Sequence, residues 1–176
     1  MKSLRYLAVL PLMAAASQAL TLDIQLGTAN LSAPISGGTD ADSSSVVGIG
    51  IGTFVSPSSH IGLNFSTRDI ENSAALVNTA ARSAIFEYTY ELNADGGIKP
   101  FIGAGLGFAW LTNTVSSTAL ASNVFAGLRF EISQTVDLTL MARLHQIYNV
   151  DFGAAASAQN RRVNSFEGIA GLRFKF

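Results

Sequence analysis

The chain has 176 residues and no cysteine, which fits one domain and excludes a disulfide framework or a thiolate metal site. It is 48% hydrophobic and only 13% charged, with a formal net charge of -1, so it has no basic footprint for nucleic acid and too few charges for a surface wetted all round. Beyond the amino-terminus no stretch reaches the roughly 18 unbroken apolar residues of a membrane helix, so the apolar side chains must be distributed by alternation.

At the amino-terminus Lys2 and Arg5 precede an apolar run from Leu7 to Ala16, and Ser17-Gln18-Ala19 supplies the small residues that a signal peptidase needs. This predicts an exported protein with a signal peptide over 1–19 and a mature domain over 20–176. A retained anchor fits less well because the run is short.

The first predicted strand, Leu20 to Leu31, sets Leu20, Leu22, Ile24 and Leu26 against Thr21, Asp23, Gln25 and Gly27, the repeat of two that a pleated strand imposes. A loop rich in Ser, Gly and Asp follows over 32–45. The second strand, Val46 to Val55, alternates Val47, Ile49 and Ile51 with glycines, and Ser56-Pro57-Ser58-Ser59 turns the chain. The third, His60 to Arg68, opposes Ile61, Leu63 and Phe65 to His60, Asn64, Ser66 and Arg68. A longer polar connection is expected over Asp69 to Ala81, with room for a helical turn around Asn72 to Val77. The fourth strand, Arg82 to Leu92, sets Phe86, Tyr88 and Tyr90 against Ile85, Glu87 and Glu91, and Asp95-Gly96-Gly97 supplies the next turn.

The fifth strand, Ile98 to Leu111, places Ile102, Ala104, Leu106, Phe108 and Trp110 opposite Lys99, Phe101 and three glycines. A loop over Thr112 to Leu120 leads to the sixth, Ala121 to Ile132, with Val124, Leu128 and Phe130 against Phe125, Arg129 and Glu131. Ser133-Gln134-Thr135 is a short turn. The seventh, Val136 to Ile147, opposes Leu138, Leu140 and Leu144 to Asp137, Met141, Arg143 and His145. A last loop runs from Tyr148 to about Val163, and the closing strand follows from Asn164 to Phe176.

Eight strands joined by connections that alternate long and short predict an all-β fold: an eight-stranded antiparallel up-and-down transmembrane β-barrel, with long loops outside and short turns on the periplasmic side. The apolar parity is expected to face lipid. The other parity holds Asp23, Arg68, Glu87, Glu91, Lys99, Arg129, Glu131, Asp137, Arg143, Glu167, Arg173 and Lys175, both signs among many glycines, as a narrow lumen of paired charges requires. Tyr90, Phe130, Phe174 and Phe176 fall near the turn side and Phe65, Trp110, Tyr148 and Phe166 near the loop side, which predicts two aromatic girdles. Arg82 and Asp69 share the outward parity but are placed at strand ends, above the hydrocarbon.

The closing stretch NSFEGIAGLRFKF ends on Phe176, and together with KPFIGAGLGFAW and FAGLRF it resembles the small OmpA/OmpX-type outer-membrane barrels and the opacity-protein branch of the porin family. The resemblance implies location in the bacterial outer membrane and dependence on periplasmic chaperones and the barrel assembly machinery. Leu172, Phe174 and Phe176 would then serve as the assembly signal. It also implies a monomer that contacts outer-membrane lipid and lipopolysaccharide, without cofactor, metal or nucleic acid. The expected role is structural or surface-interacting, adhesin-like or opacity-like, through four extracellular loops over a lumen filled by side chains; a small channel or a lipid A-modifying enzyme are the alternatives.

Residues that suggest other chemistry have plainer readings. His145 beside Arg143 suggests a general base, but the His-x-Ser spacing of lipid A deacylases is absent after both His145 and His60. Asp40 and Asp42 supply too few oxygens for calcium. Arg161-Arg162 in the last loop suits either lipopolysaccharide phosphates or plain solvation. Gly103, Gly105 and Gly107 have strand spacing and no following helix, unlike a nucleotide fingerprint.

Overall fold

The computed structural model describes residues 20–32, 43–72, 77–93, 95–112, 117–150 and 161–176. They form β1 (Leu20–Ser32), β2 (Ser43–Ser56), β3 (Ser59–Asn72), β4 (Val77–Glu91), β5 (Ile98–Thr112), β6 (Ser117–Ser133), β7 (Val136–Val150) and β8 (Arg161–Lys175). Each strand pairs antiparallel with its sequence neighbours, and β1 pairs with β8 to close the barrel. Closure leaves no strand edge unpaired, the condition for placing backbone in hydrocarbon. The last link of the seam is the Phe176 amide, which donates to the Leu20 carbonyl at 2.9 Å.

The barrel is apolar outside. Ile102, Leu140 and Leu172 are 52%, 45% and 39% exposed, whereas Arg129 is 2% exposed and Glu167 fully buried. Such an inside-out distribution is stable only against lipid, since a soluble barrel would bury the aliphatic parity. Of the girdle residues, Phe65, Tyr90, Trp110 and Phe166 stand exposed on the outer wall. Phe130, Tyr148 and Phe174 share the outward parity but are half-buried, and the Tyr148 hydroxyl donates to Gln146 Oε1 at 2.8 Å.

The strands are longer than their apolar alternation indicates. β3 and β4 remain paired as far as Asn72 and Val77, so the expected polar connection over Asp69 to Ala81 is mostly hairpin. Asn72 and Val77 are themselves in strands; the residues between them lie outside the described residues. β5 and β6 likewise stay paired to Leu111 and Ser117, inside the loop expected over Thr112 to Leu120. Arg161 and Arg162 open β8 rather than belonging to a loop. The strict alternation of long and short connections is therefore corrected. Only 33–42 and 151–160 are long at the loop end, and 73–76 and 113–116 are shorter than the 92–97 turn. The physical reason is that a hairpin rising clear of the bilayer has water on its outer face, so its strands need no apolar parity and read as polar loop. The signal peptide and the Asp40/Asp42 pair fall outside the described residues.

Candidate functional site

The lumen is where the inward parities of all eight strands converge, and it gathers the charged side chains into pairs. Near the turn end Arg173 binds Asp23 in a fork, Nε to Oδ1 at 2.7 Å and Nη2 to Oδ2 at 2.9 Å. Lys175 Nζ donates to Asp137 Oδ1 at 2.9 Å, and Arg129 pairs with Glu91. Nearer the loops, buried Glu167 takes a bidentate fork from Arg68, with Nη2 to Oε2 at 3.2 Å, and stands 3.7 Å from Arg143. Arg143 lies 3.8 Å from Glu87 on its other side. Glu87, Arg143, Glu167 and Arg68 thus form one alternating chain across the lumen, the arrangement that offsets the cost of removing charges from water.

Ten of the twelve charges expected in the lumen lie within it. The remaining pair, Lys99 and Glu131, meets at 3.1 Å on the turn-side rim, where Glu131 is exposed. Inward parity carries them there, but both sit at the strand ends beside the 92–97 and 134–135 turns, so water reaches them.

Neutral polar side chains complete the network, and charge patterning alone did not single them out. Gln25 Oε1 accepts from Arg143 Nη2 at 2.9 Å and from Asn64 Nδ2 at 3.1 Å. Asn123 Nδ2 donates to Glu87 Oε1 at 2.6 Å. Ser66 and Ser83 accept from Arg68 Nη1, and Ser165 donates to Glu167. Their signal was parity: each alternates with a lipid-facing neighbour. His60 hydrogen-bonds the Thr21 hydroxyl at 2.8 Å and meets the Phe54 ring edge-on. A Cβ on Gly52 would approach the His60 ring to 2.5 Å, so that glycine makes room for the imidazole.

Apolar side chains divide the polar lumen. Phe101, Phe125, Met141 and Ile169 cluster at mid-height, with Arg129 over the Phe101 ring at 4.9 Å and Arg143 over the Phe125 ring at 5.9 Å. Gly127 leaves the space that the Phe101 ring fills. A second cluster of Ala81, Ile85, Ala109, Leu111, Ala119, Ala121, Ile147 and Val163 occupies the loop-side section. Between the aromatic cluster and the Asp23–Arg173 pair remains a polar cavity of about 30 Å³, room for about two ordered waters. His145 is buried between the charged chain and the loop-side cluster, its two ring nitrogens without a hydrogen-bond partner among the described residues. Among the described residues no group of His, Asp and Glu is placed to hold a metal ion.

A closed eight-stranded barrel, apolar outside and ion-paired inside, is the architecture of the small barrels of the Gram-negative outer membrane. The chain belongs to the outer membrane protein beta-barrel domain family, whose model matches residues 3–174. Among solved structures it is similar to Neisserial surface protein A (TM-score 0.71, 18% identity, 89% of this chain and 97% of that one). It is also similar to the N-terminal β-barrel domain of Pseudomonas aeruginosa OprF (TM-score 0.56, 17% identity, 90% and 98%). A third similar fold is the outer membrane enzyme PagL (TM-score 0.54, 17% identity, 86% and 97%). At these identities the likeness is one of fold. No curated protein matches the sequence.

Proposed function

We propose that this protein is a passive outer-membrane barrel with a structural or surface-contact role, adhesin-like or opacity-like, carried by its loop end. The observation that supports this reading is the filled lumen. Among the described residues two apolar clusters and an ion-paired chain fill the lumen, and the polar cavity that remains has room for about two waters. A scaffold with a filled lumen leaves its connections as the place for recognition, and the strand ends that flank the long ones, 33–42 and 151–160, belong to the same end of the barrel.

The test is to replace residues 33–42 and 151–160 with Gly-Ser linkers of equal length and measure attachment of expressing cells to host-cell and matrix surfaces. Lost attachment at unchanged membrane yield supports the reading; attachment indifferent to both segments removes the contact role. Two further measurements separate the other classes. Discrete current steps in planar bilayers would establish a channel, and a mass change in lipid A on expression would establish an enzyme. The reading expects neither: the lumen is filled at two heights, and among the described residues His145 is buried with no side chain bonded to its ring.

A further inference from the structure

The inward face of β2 is a run of glycines, Gly48, Gly50 and Gly52, that ends on one ring, Phe54. The pairing of β2 with β3 shifts register between Phe54 and Ser56, and a bulge of this kind re-aims a side chain at a barrel rim. Here the Phe54 ring meets His60 edge-on, with 5.1 Å between ring centroids, and the Arg173 guanidinium stands over it at 5.9 Å. His60 and Arg173 both line the polar cavity, so the half-buried ring lies at the turn-side mouth of that cavity. Its neighbours at this end are held by charge: Arg173 by Asp23, Arg129 by Glu91 and Lys175 by Asp137. Displacing one of them would separate a largely buried ion pair, whereas the Phe54 ring moves without separating any.

Three polar atoms of the cavity-lining residues have no hydrogen-bond partner among the described residues: Arg129 Nε, Arg173 Nη1 and Thr139 Oγ1. Each belongs to a residue no more than 8% exposed, and Thr139 is in register with Arg129 on β6 and Gly171 on β8. A buried donor left unpaired is costly, so the cavity calls for a small hydrogen-bonding occupant. Its charge is already balanced. Asp23 and Glu87 line the same walls, Asp23 is forked by Arg173, and Glu91 neutralises Arg129. A neutral molecule therefore suits the site and an anion does not. We propose that the cavity is a dead-end water chamber filled from the turn side, with the Phe54 ring as its lid. Water accepts from the two guanidinium groups and donates to the Thr139 oxygen. The floor of the chamber is the aromatic cluster of Phe101, Phe125 and Met141.

Met141 is the single methionine among the described residues and lines the chamber, so its thioether reports what enters. Hydrogen peroxide, a neutral solute little larger than water, is added to the folded barrel in detergent micelles, and sulfoxide at Met141 is followed by peptide mass spectrometry. One peroxide oxygen passes to the sulfur and water leaves. Phe54→Ala is expected to raise the oxidation rate about tenfold, the factor that one lost ring contact supplies. Phe54→Leu should give a rate between the two, and Leu111→Ala, in the loop-side cluster, should leave the wild-type rate unchanged. Heat-modifiable gel mobility checks that every variant is folded. Equal rates in the wild type and both Phe54 variants, or an equal rise in Leu111→Ala, would overturn the lid. A wild-type rate that falls when chloride replaces sulfate in the buffer would overturn the occupant and put a small anion in place of water.

Discussion

Glu167 serves two guanidinium groups, forked by Arg68 and approached by Arg143 at 3.7 Å, and Ser165 donates to it as well. Removing its charge leaves two buried cations facing each other, a loss that typically costs about 3–5 kcal/mol for a broken buried pair. Glu167→Gln is therefore expected to lower the urea midpoint in lipid vesicles strongly. Glu131→Gln, which breaks an exposed rim pair, should leave the midpoint almost unchanged. Comparable midpoints for the two variants would mean that water penetrates the lumen to the level of Glu167. The charged members of this network could be read from the sequence because they share a parity. Gln25, Asn64 and Asn123 share it too, yet polar amides occur on so many surfaces that only the bonds they make distinguish them.

A strand of this barrel is defined by what its two faces meet. Leu140, at mid-strand on β7 and 45% exposed, meets hydrocarbon, so Leu140→Arg should destabilise the barrel by about 2–4 kcal/mol in vesicles. A near-neutral effect would move that face out of the bilayer. β8 closes the seam with β1, and Phe176, which follows it, is exposed and donates its backbone amide to Leu20. If Phe176 is an assembly signal, deleting it should reduce membrane yield more than Phe101→Ala, which removes a buried ring from the lumen. Equal yields would assign Phe176 no special part. Where strands leave the membrane, the rule that revealed them fails. The β3–β4 hairpin beyond Arg68 keeps its ladder while losing its apolar parity, which is why Asp69 to Ala81 looked like loop.

As a whole the described barrel has apolar side chains filling its lumen at two heights, mid-height with Phe101, Phe125, Met141 and Ile169 and nearer the loops with the cluster around Ile85, Leu111 and Ile147. Planar-bilayer recordings of the wild type should show no current steps. The double variant Phe101→Ala, Phe125→Ala should also stay silent, because the loop-side cluster closes the lumen independently. Steps in the double variant alone would make the aromatic cluster the one effective barrier. The arrangement also keeps solvent away from His145, whose ring nitrogens have no hydrogen-bond partner among the described residues.

Side-chain period and composition by themselves determined the fold class, the strand count and which parity meets lipid. A period of two with charges kept off the mid-depth of one parity is satisfied in a membrane by a closed barrel turned inside out. Only the tertiary structure decided which charges pair, because ion pairs such as Asp23 with Arg173 join residues from opposite ends of the chain once β1 meets β8. It alone also decided how far the hairpins rise and where the apolar seals lie. Those follow from register and barrel stagger, which bring Phe101 of β5, Phe125 of β6, Met141 of β7 and Ile169 of β8 to one height, and no local pattern encodes that height.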